Sequence, residues 1–500
     1  MRFHIENFGC RAARADGESV NAALRSQGHA ESPVAQADLV LLNTCSVTAE
    51  AERDARAFVR KTRRTNPTAK IVVTGCYAQR APEEIAALEG VTAVVGNSHK
   101  ALLPTLIPTF IGNPAQNQPS SFLPTSTLLN PAAPTAISTS TPSMIPIWAD
   151  DQFAHSFLEE APLAHGGQFN SQFSPQIRTQ TRPNLKIQEG CGNRCTFCII
   201  PTTRGHSRSL PAEKILTQIR AFTASGGQEL VLSGINLGRW GRDLSRNLPN
   251  NLSSTPTFPA LIREILEKTT LPRLRLSSIE PMDWTPELIA LLRDQTPQIH
   301  CNSVHANPAP TGRIARHTHL PLQSGSDSVL RRMHRRYRPW HYEEKVAALR
   351  EAIGPQLALG ADVMLGFPGE TEAEFCETHD LVARLPFTYL HLFPFSPRPG
   401  TPGWQLHRQS PVPPQAVKER MTILRTLAAE KSESFRRSLA GIPLPAITLQ
   451  TPPELAAQNR TLALTDNFLS IELTGSLPSN RLISVEMIDT QQAKIAPDKR

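Results

Sequence analysis

The stretch EGCGNRCTFCIIPTTRG, residues 189–205, places Cys191, Cys195 and Cys198 at the spacing C-x3-C-x2-C. A tight loop with three thiolates can hold three irons of a [4Fe-4S] cluster and leave the fourth iron without a protein ligand. An iron of that kind can bind a substrate or a cofactor. Zinc is an alternative, with His206 as a fourth ligand, although structural zinc sites usually take four ligands in two separated pairs. Three structural cysteines are the third interpretation.

Six strand-like stretches lie between about Arg182 and Ser396, and the cysteine motif follows the first of them. They are LKIQ from Leu185, ELVLSG from Glu229, RLRLSS from Arg273, HTHLPLQ from His317, LALGADVMLG from Leu357 and TYLHLFPF from Thr388. Helical patterns separate most of them, which predicts six β/α units in a barrel or partial barrel with its functional groups at the carboxyl ends of the strands. A stretch holding NPAPTG, within residues 299–316, is expected to be a loop insertion before the fourth strand.

The first hundred residues show the same alternation on a smaller scale. The runs RFHIENFG, DLVLLNTCSV, AKIVVTGCYAQ and VTAVVGN alternate with helical patterns, which predicts a small parallel α/β sheet. Cys10, Cys45 and Cys76 each lie at or just past the end of one run. Because ligands gather at the carboxyl edge of a parallel sheet, these three cysteines can converge there. Three buried thiols that act as small hydrophobic residues are the alternative.

The length and composition of the chain indicate where the domains begin and end. A chain of 500 residues suggests about three domains, and 44 prolines indicate a proline-rich segment. Residues 101–149 contain no Asp, Glu, Lys or Arg, so we expect a linker or disordered insertion there, with a buried apolar domain as the competing interpretation. The predicted domains are an N-terminal α/β domain over 1–100, a linker or insertion over 101–180, the barrel over 181–407, and a basic helix followed by a small all-β module over 408–500.

Several function classes are excluded by what the chain lacks. The sequence shows neither a transmembrane stretch nor a signal-peptide core, which predicts a cytoplasmic protein without a membrane partner. Eight cysteines are too few for a secreted disulfide scaffold. Cys301 and Cys376 lack partners at ligand spacing, so we interpret them as structural. The net charge of +8 permits a polyanionic partner. No Ser/His/Asp or paired-carboxylate arrangement points to a hydrolase.

The cysteine motif, with Phe197 before its last cysteine in the loop after the first barrel strand, resembles the radical S-adenosylmethionine superfamily. In that superfamily S-adenosylmethionine binds the open iron and is cleaved to a 5′-deoxyadenosyl radical, which abstracts a hydrogen atom from an unactivated C–H bond. With the three N-terminal cysteines and the β module added, nearly the whole chain resembles the methylthiotransferase family. The resemblance implies two [4Fe-4S] clusters, an auxiliary one held by Cys10, Cys45 and Cys76 and a radical-generating one held by Cys191, Cys195 and Cys198. It also implies a TRAM-like C-terminal β-barrel that grips tRNA.

Four contexts are similar to one branch of the family: NTCSVTAEAE around Cys45, VTGCYAQR around Cys76, VLSGINLGRWG around Gly234 and RLRLSSIEP around Ser277. That branch places a methylthio group on C2 of N6-threonylcarbamoyladenosine next to the anticodon. The expected enzyme is therefore a tRNA methylthiotransferase that binds the anticodon stem-loop and takes electrons from a donor such as flavodoxin or ferredoxin. The same chemistry on isopentenyladenosine or on an aspartate of a ribosomal protein is an alternative, as is a non-catalytic tRNA-binding or redox-sensing protein. Arg11, Ala12 and Ala13 depart from the polar stretch usual in the family.

Further candidates lie at the ends of the predicted barrel strands. Gly226, Gly227 and Glu229 precede the second strand, where the superfamily usually places groups that bind the methionyl amine. Ser277 and Glu280 end the third strand, and Gln323 with Ser324 ends the fourth, so these residues are expected to bind S-adenosylmethionine or the base. Turn chemistry is the alternative for each. The arginine run over residues 331–338 predicts either a solvated face or a phosphate-contacting strip.

Overall fold

The computed structural model describes residues 1–111, 145–153, 181–244, 256–297, 312–489 and 492–496. Contacts divide the chain into two units, Met1–Gly9 with Val20–Glu159, and Cys10–Ser19 with Glu160–Arg500. Cys301 and most of the expected linker and loop insertion lie outside the described residues. Among the residues that are described, every helix is too short or too polar to cross a bilayer.

The first unit is built on one parallel sheet. Its strand order is β2-β1-β3-β4-β5-β6. The strands are β1 (Arg2–Asn7), β2 (Ala30–Glu31), β3 (Leu39–Thr44), β4 (Lys70–Gly75), β5 (Val91–Gly96) and β6 (Ile147–Trp148). The helices between and after them are α1 (Arg11–Ser26), α2 (Ala49–Thr65), α3 (Cys76–Arg80), α4 (Pro82–Ala86) and α5 (Leu103–Ile111). The part of α1 before Val20 belongs to the second unit. Every residue of β3 is buried, as expected of a central strand that is covered on both faces.

Regular structure extends past residue 100, which differs from the expectation of a linker that starts at Ala101. Leu103, Ile107 and Phe110 form one buried face of α5 and pack in the sheet core although Pro108 lies inside the helix. Trp148 of β6 packs on the same core. Burial of this apolar face outweighs the low helix propensity of proline, because most helical stability in proteins comes from tertiary packing.

The second unit contains an open barrel of six parallel strands. Two sheets, β10-β9-β7-β8 and β11-β12-β13, meet through the parallel bridges Leu274–Ile314 and Ser278–His319. The strands are β7 (Asn184–Glu189), β8 (Arg208–Ser209), β9 (Glu229–Gly234), β10 (Arg273–Leu276), β11 (His317–His319), β12 (Ala358–Leu365) and β13 (Tyr389–Pro394). The short β8 pairs antiparallel with β7 and adds to the six predicted strands.

Helices follow the barrel strands as the alternating pattern predicts. They are α6 (Ile200–Arg204), α7 (Ala212–Ala224), α8 (Phe258–Lys268), α9 (Pro286–Gln295), α10 (Asp327–Arg332), α11 (Pro339–Ile353), α12 (Glu372–Arg384), α13 (Pro402–Gln409) and α14 (Pro414–Arg437). The start of α12 has a full capping box, in which Thr371 and Glu374 satisfy each other's backbone N–H groups. The parallel barrel confirms the predicted α/β fold class.

The C-terminal module is a closed barrel with the strand order β14-β15-β16-β18-β17. Its elements are β14 (Pro443–Thr448), α15 (Pro453–Ala457), β15 (Arg460–Thr465), β16 (Ser470–Thr474), β17 (Leu482–Met487) and β18 (Gln492–Ile495). This barrel confirms the predicted small all-β module, and β18 is the strand that closes it. Closure leaves no unpaired edge, which a module this small needs for stability.

A buried ion pair and buried hydrogen bonds join this small barrel to the six-stranded barrel. Asp466 follows β15 and accepts two hydrogen bonds from the guanidinium of Arg316, at 2.6 and 2.9 Å. Arg275 of β10 donates to the backbone carbonyls of Thr465 and Asp466, at 3.1 and 3.0 Å. All three charged side chains are almost fully buried. The contacts therefore hold the two barrels of this unit in one arrangement.

Candidate active site

The three closely spaced cysteines lie in the loop that leaves the carboxyl end of β7. The two ends of the loop are tied together, because Arg204 donates to both carboxylate oxygens of Glu189 at 2.8 and 3.1 Å. Asp16 accepts from Arg204 at 3.2 Å and also pairs with Lys186. These side chains are buried, and the positive charges of Arg204 and Lys186 outweigh the effect of burial and lower the pKa of Glu189. The network thus fixes the loop between residues 189 and 204.

Cys191, Cys195 and Cys198 are free thiols that influence one another electrostatically. The Cys191 sulfur accepts from the backbone N–H of Asn193 at 3.4 Å and from the Asn236 side-chain amide at 3.6 Å. Burial raises the pKa of Cys191, and burial with the nearby Cys195 and Cys191 charges raises the pKa of Cys198 to about 12. A bound metal is what holds such thiols as thiolates at neutral pH.

A cavity of about 240 Å³ opens beside Cys195. Arg335 donates to the Cys195 sulfur at 3.4 Å and reaches both carboxylate oxygens of Glu280, at 3.2 and 2.5 Å. Glu280 and Arg335 line the cavity together with Asn193 and Tyr337. The lining of the cavity therefore includes the Cys195 sulfur, a carboxylate and a guanidinium, and the last two groups suit a zwitterionic ligand.

Comparisons with known proteins match both units. Residues 2–96 match the family described as Uncharacterized protein family UPF0004, and residues 185–382 match the Radical SAM superfamily. The threonylcarbamoyladenosine tRNA methylthiotransferase MtaB of Bacillus subtilis is 30% identical over 95% of this chain and 90% of its own length. The MtaB of Aquifex aeolicus is 30% identical over 97% and 100%. The chain belongs to the radical SAM methylthiotransferase family. A tRNA-2-methylthio-N(6)-dimethylallyladenosine synthase of Geobacter metallireducens is 31% identical over 80% of this chain and 76% of its own length.

Membership of the radical SAM superfamily implies a [4Fe-4S] cluster and S-adenosylmethionine, and the three-cysteine loop fits them. The donor set is three free thiols in one loop, and no fourth cysteine of the described residues contacts them. The adjoining cavity contains the carboxylate and guanidinium of Glu280 and Arg335. The three thiols can ligate three irons and leave the fourth iron open. The cavity can accept the polar groups of a methionyl moiety.

Ser277, Glu280 and Gln323 lie at the same edge of the barrel as the cysteine loop. Ser277 follows β10, is buried, and donates its backbone N–H to Leu232 at 3.0 Å. Gln323 follows β11 and is held in a left-handed conformation, with φ of 64°. Its side-chain oxygen is buried and has no hydrogen-bond partner among the described residues. A buried acceptor without a partner is costly, so this oxygen is available for a ligand donor.

Gly226, Gly227 and Glu229 lie at the opposite edge, which corrects their expected place beside the cofactor. Glu229 is the first residue of β9, whereas Gly234 at the far end of β9 pairs with β7 just before the cysteine loop. The two ends of β9 are five residue steps apart, which corresponds to about 16 Å. Glu229 is fully buried and pairs with arginines, and a Cβ on Gly227 would meet the Phe222 ring at 2.2 Å. These residues therefore serve the turn and the packing at the amino end of β9.

In the first unit, Cys45 and Cys76 directly follow two neighbouring strands that end at the same position along the sheet. Thr44 of β3 pairs with Gly75 of β4, and each cysteine is the next residue. Gly75 has φ of 100°, and a Cβ there would meet the Thr44 carbonyl oxygen at 2.3 Å, so glycine is required for this turn. The Cys76 sulfur accepts from the Asn97 amide at 3.3 Å. Cys10, in the second unit, directly follows Gly9 and precedes α1.

The arginine run does not form one free strip. Arg331 and Arg338 pair with Asp327, Arg332 pairs with Glu374, and Arg335 pairs with Glu280. Arg336 is exposed and lines the cavity beside Cys195. Most of the run therefore has a structural role, and Arg336 is the arginine of the run most available to an external anion.

Asn236 and Arg335 are the site residues that sequence reasoning missed. Asn236 lies two residues past β9, so its position at a carboxyl strand end is a usable signal. Arg335 reaches Cys195 from 140 residues away along the chain, and no local pattern indicates that contact.

Proposed function

We propose that this chain is a tRNA methylthiotransferase that adds a methylthio group to C2 of N6-threonylcarbamoyladenosine next to the anticodon. The observation that carries the proposal is the similarity over nearly the full length to two threonylcarbamoyladenosine tRNA methylthiotransferases. The local geometry supports it, because a three-thiol loop adjoins a polar cavity at the functional edge of the barrel.

The proposed cofactors are S-adenosylmethionine and two [4Fe-4S] clusters. Cys191, Cys195 and Cys198 are proposed to hold the radical-generating cluster, and Cys10, Cys45 and Cys76 the auxiliary one. When bound, these groups supply hydrogen-atom abstraction and the transferred sulfur. The aligned ends of β3 and β4 support the auxiliary ligand set, since parallel strands lie about 4.8 Å apart. β1 pairs with β3 on the other side, and Cys10 follows β1 by three residues.

The chain's own residues are proposed to bind and orient the reactants. Glu280 and Arg335 present opposite charges toward the cavity beside Cys195, where they would orient the methionyl amine and carboxylate. Ser277 and Gln323 lie at the same edge and would contact the remaining polar groups. The closed C-terminal barrel and Arg336 would bind the anticodon stem-loop, with an electron donor such as flavodoxin or ferredoxin as a further partner.

The first experiment counts irons and measures reductive cleavage in the anaerobically reconstituted protein. We expect about eight irons per chain, with 5′-deoxyadenosine formed after reduction. Cys191→Ala should leave about four irons and no 5′-deoxyadenosine, whereas Cys45→Ala should leave about four irons and retain its formation. Cys376→Ala is the matched control, because Cys376 is an exposed thiol on α12. About four irons in the unmodified chain would contradict the second cluster.

The second experiment identifies the substrate. Nucleosides of tRNA from a deletion strain are analysed by mass spectrometry, and we expect the methylthio form of threonylcarbamoyladenosine to be missing. Loss of the methylthio form of the dimethylallyl or isopentenyl nucleoside would instead favour the activity named for the Geobacter relative. No change in either nucleoside would favour the ribosomal-protein aspartate or a non-catalytic role.

A further inference from the structure

Two histidines and an aspartate converge on three adjacent strands of the six-stranded barrel. His319 ends β11, Asp362 lies within β12, and His391 lies within β13. Asp362 pairs directly with His391, and His319 pairs with Gly360, two residues before Asp362. Because side chains two residues apart share a face of a strand, all three side chains point to the same face of the sheet.

The ligand atoms of these residues lie within 4.8 Å of one another. One carboxylate oxygen of Asp362 is 3.3 Å from Nε2 of His319 and 3.2 Å from Nδ1 of His391. Two ligands of a tetrahedral zinc ion, each about 2.05 Å from the metal, lie about 3.3 Å apart. The two separations from the Asp362 oxygen therefore match those between ligands of one ion.

His319 is oriented as a metal ligand. Its Nδ1 lies 3.0 Å from the hydroxyl oxygen of Ser278, a contact that fixes the ring and directs Nε2 toward Asp362. Nε2 is buried and makes no hydrogen bond of good geometry with the described residues, although an Asp362 oxygen is 3.3 Å away. A ligating histidine typically has this pattern, with one ring nitrogen held by an outer partner and the other directed at the metal.

We propose that His319, Asp362 and His391 form a mononuclear site for a divalent transition-metal ion, with Zn²⁺ as the best-matched ion. The site contains no sulfur ligand and does not depend on the proposed function. Two imidazoles and one carboxylate leave at least one coordination position for water or another ligand. His391 is more than half exposed, which gives the ion a route into the site.

The test measures zinc in the intact, cluster-containing protein. After equilibration with ZnCl₂ and removal of excess, we expect one zinc per chain, with X-ray absorption showing ligands at about 2.0–2.1 Å and none at the 2.3 Å of zinc–sulfur bonds. His391→Ala should weaken zinc binding in chelator competition by about 100-fold or more. Ser278→Ala should weaken it about 10- to 100-fold, because it removes only the outer partner of His319.

His379→Ala is the matched control, since His379 is partly exposed on helix α12 and pairs with Asp380 at 3.1 Å. This variant should bind zinc as the unmodified chain does. Asp362→Asn provides a second test of the site that preserves side-chain volume, and it should also lose zinc. The proposal would be overturned by zinc bound through sulfur, by no bound zinc, or by a zinc affinity in His391→Ala equal to that of the unmodified chain. The three residues would then form a hydrogen-bonded triad without a metal.

Discussion

Replacing Glu229 with Gln tests whether this residue is structural or binds the cofactor. Glu229 is fully buried at the amino end of β9 and pairs with Arg275 at 2.8 Å, Arg182 at 3.2 Å and Arg273 at 3.4 Å. Burial alone would raise the pKa of this carboxyl, but the three guanidinium groups outweigh burial and lower the pKa to about 2. The carboxylate therefore compensates three positive charges in a region with little water.

The magnitude follows from this pKa. A decrease from 4.5 to about 2 corresponds to about 3 kcal/mol of stabilisation by the charged form. Since the folded-state pKa is depressed, this contribution is fully present above pH 4.5 and is lost as pH falls from 4.5 toward 2. At pH 7, Glu229→Gln should lower the free energy of unfolding by about 3–5 kcal/mol, because it leaves buried arginines without their counter-charge.

The assay is urea unfolding at pH 7 combined with measurement of S-adenosylmethionine affinity in the absence of urea. We expect a lower unfolding midpoint and unchanged affinity. Glu343→Gln is the control, because Glu343 forms a surface pair with Arg384 and should cost less than about 1 kcal/mol. An unchanged midpoint with affinity reduced tenfold or more would refute the structural role and return Glu229 to the cofactor site.

Three further outcomes are expected. Asp466→Asn removes the carboxylate that Arg316 binds, so it should lower stability by about 3–5 kcal/mol and expose the junction of the two barrels to limited proteolysis. Thr371→Ala removes the capping box of α12 and should cost about 1 kcal/mol in urea unfolding, with cluster content unchanged. Arg336→Ala should weaken tRNA binding and reduce the slope of log affinity against log salt by about one, as measured by filter binding from 50 to 200 mM salt. An unchanged slope would remove Arg336 from the tRNA contact surface.

Much of the fold could be predicted because each pattern is local. Alternation of apolar strands and helices indicated the parallel sheet and the six barrel strands, and all six are present in order. The predictions were weaker where packing decides the outcome. The apolar face of α5 forms a helix despite Pro108, and β18 closes the small barrel through pairing with β16 and β17. Neither feature has a strong local signal.

The site residues also divide into those that a local pattern predicts and those whose place depends on the fold. Cys191, Cys195 and Cys198 lie within eight residues, so their spacing alone predicts a shared ligand. The local sequence around Gly226, Gly227 and Glu229 suggested a cofactor contact. The direction of a strand decides at which edge of the barrel a residue lies, and these residues lie at the amino end of β9.

The sequence by itself determined the alternating architecture and the family, and it predicted a shared ligand for the cysteine loop, because these depend on short spacings and on residue order. Only the tertiary structure decided that Arg335 reaches Cys195, that Asp466 joins the two barrels, and that His319, Asp362 and His391 meet. The reason is physical: such contacts depend on which strands become neighbours and on their register, and both are set by burial of the whole core.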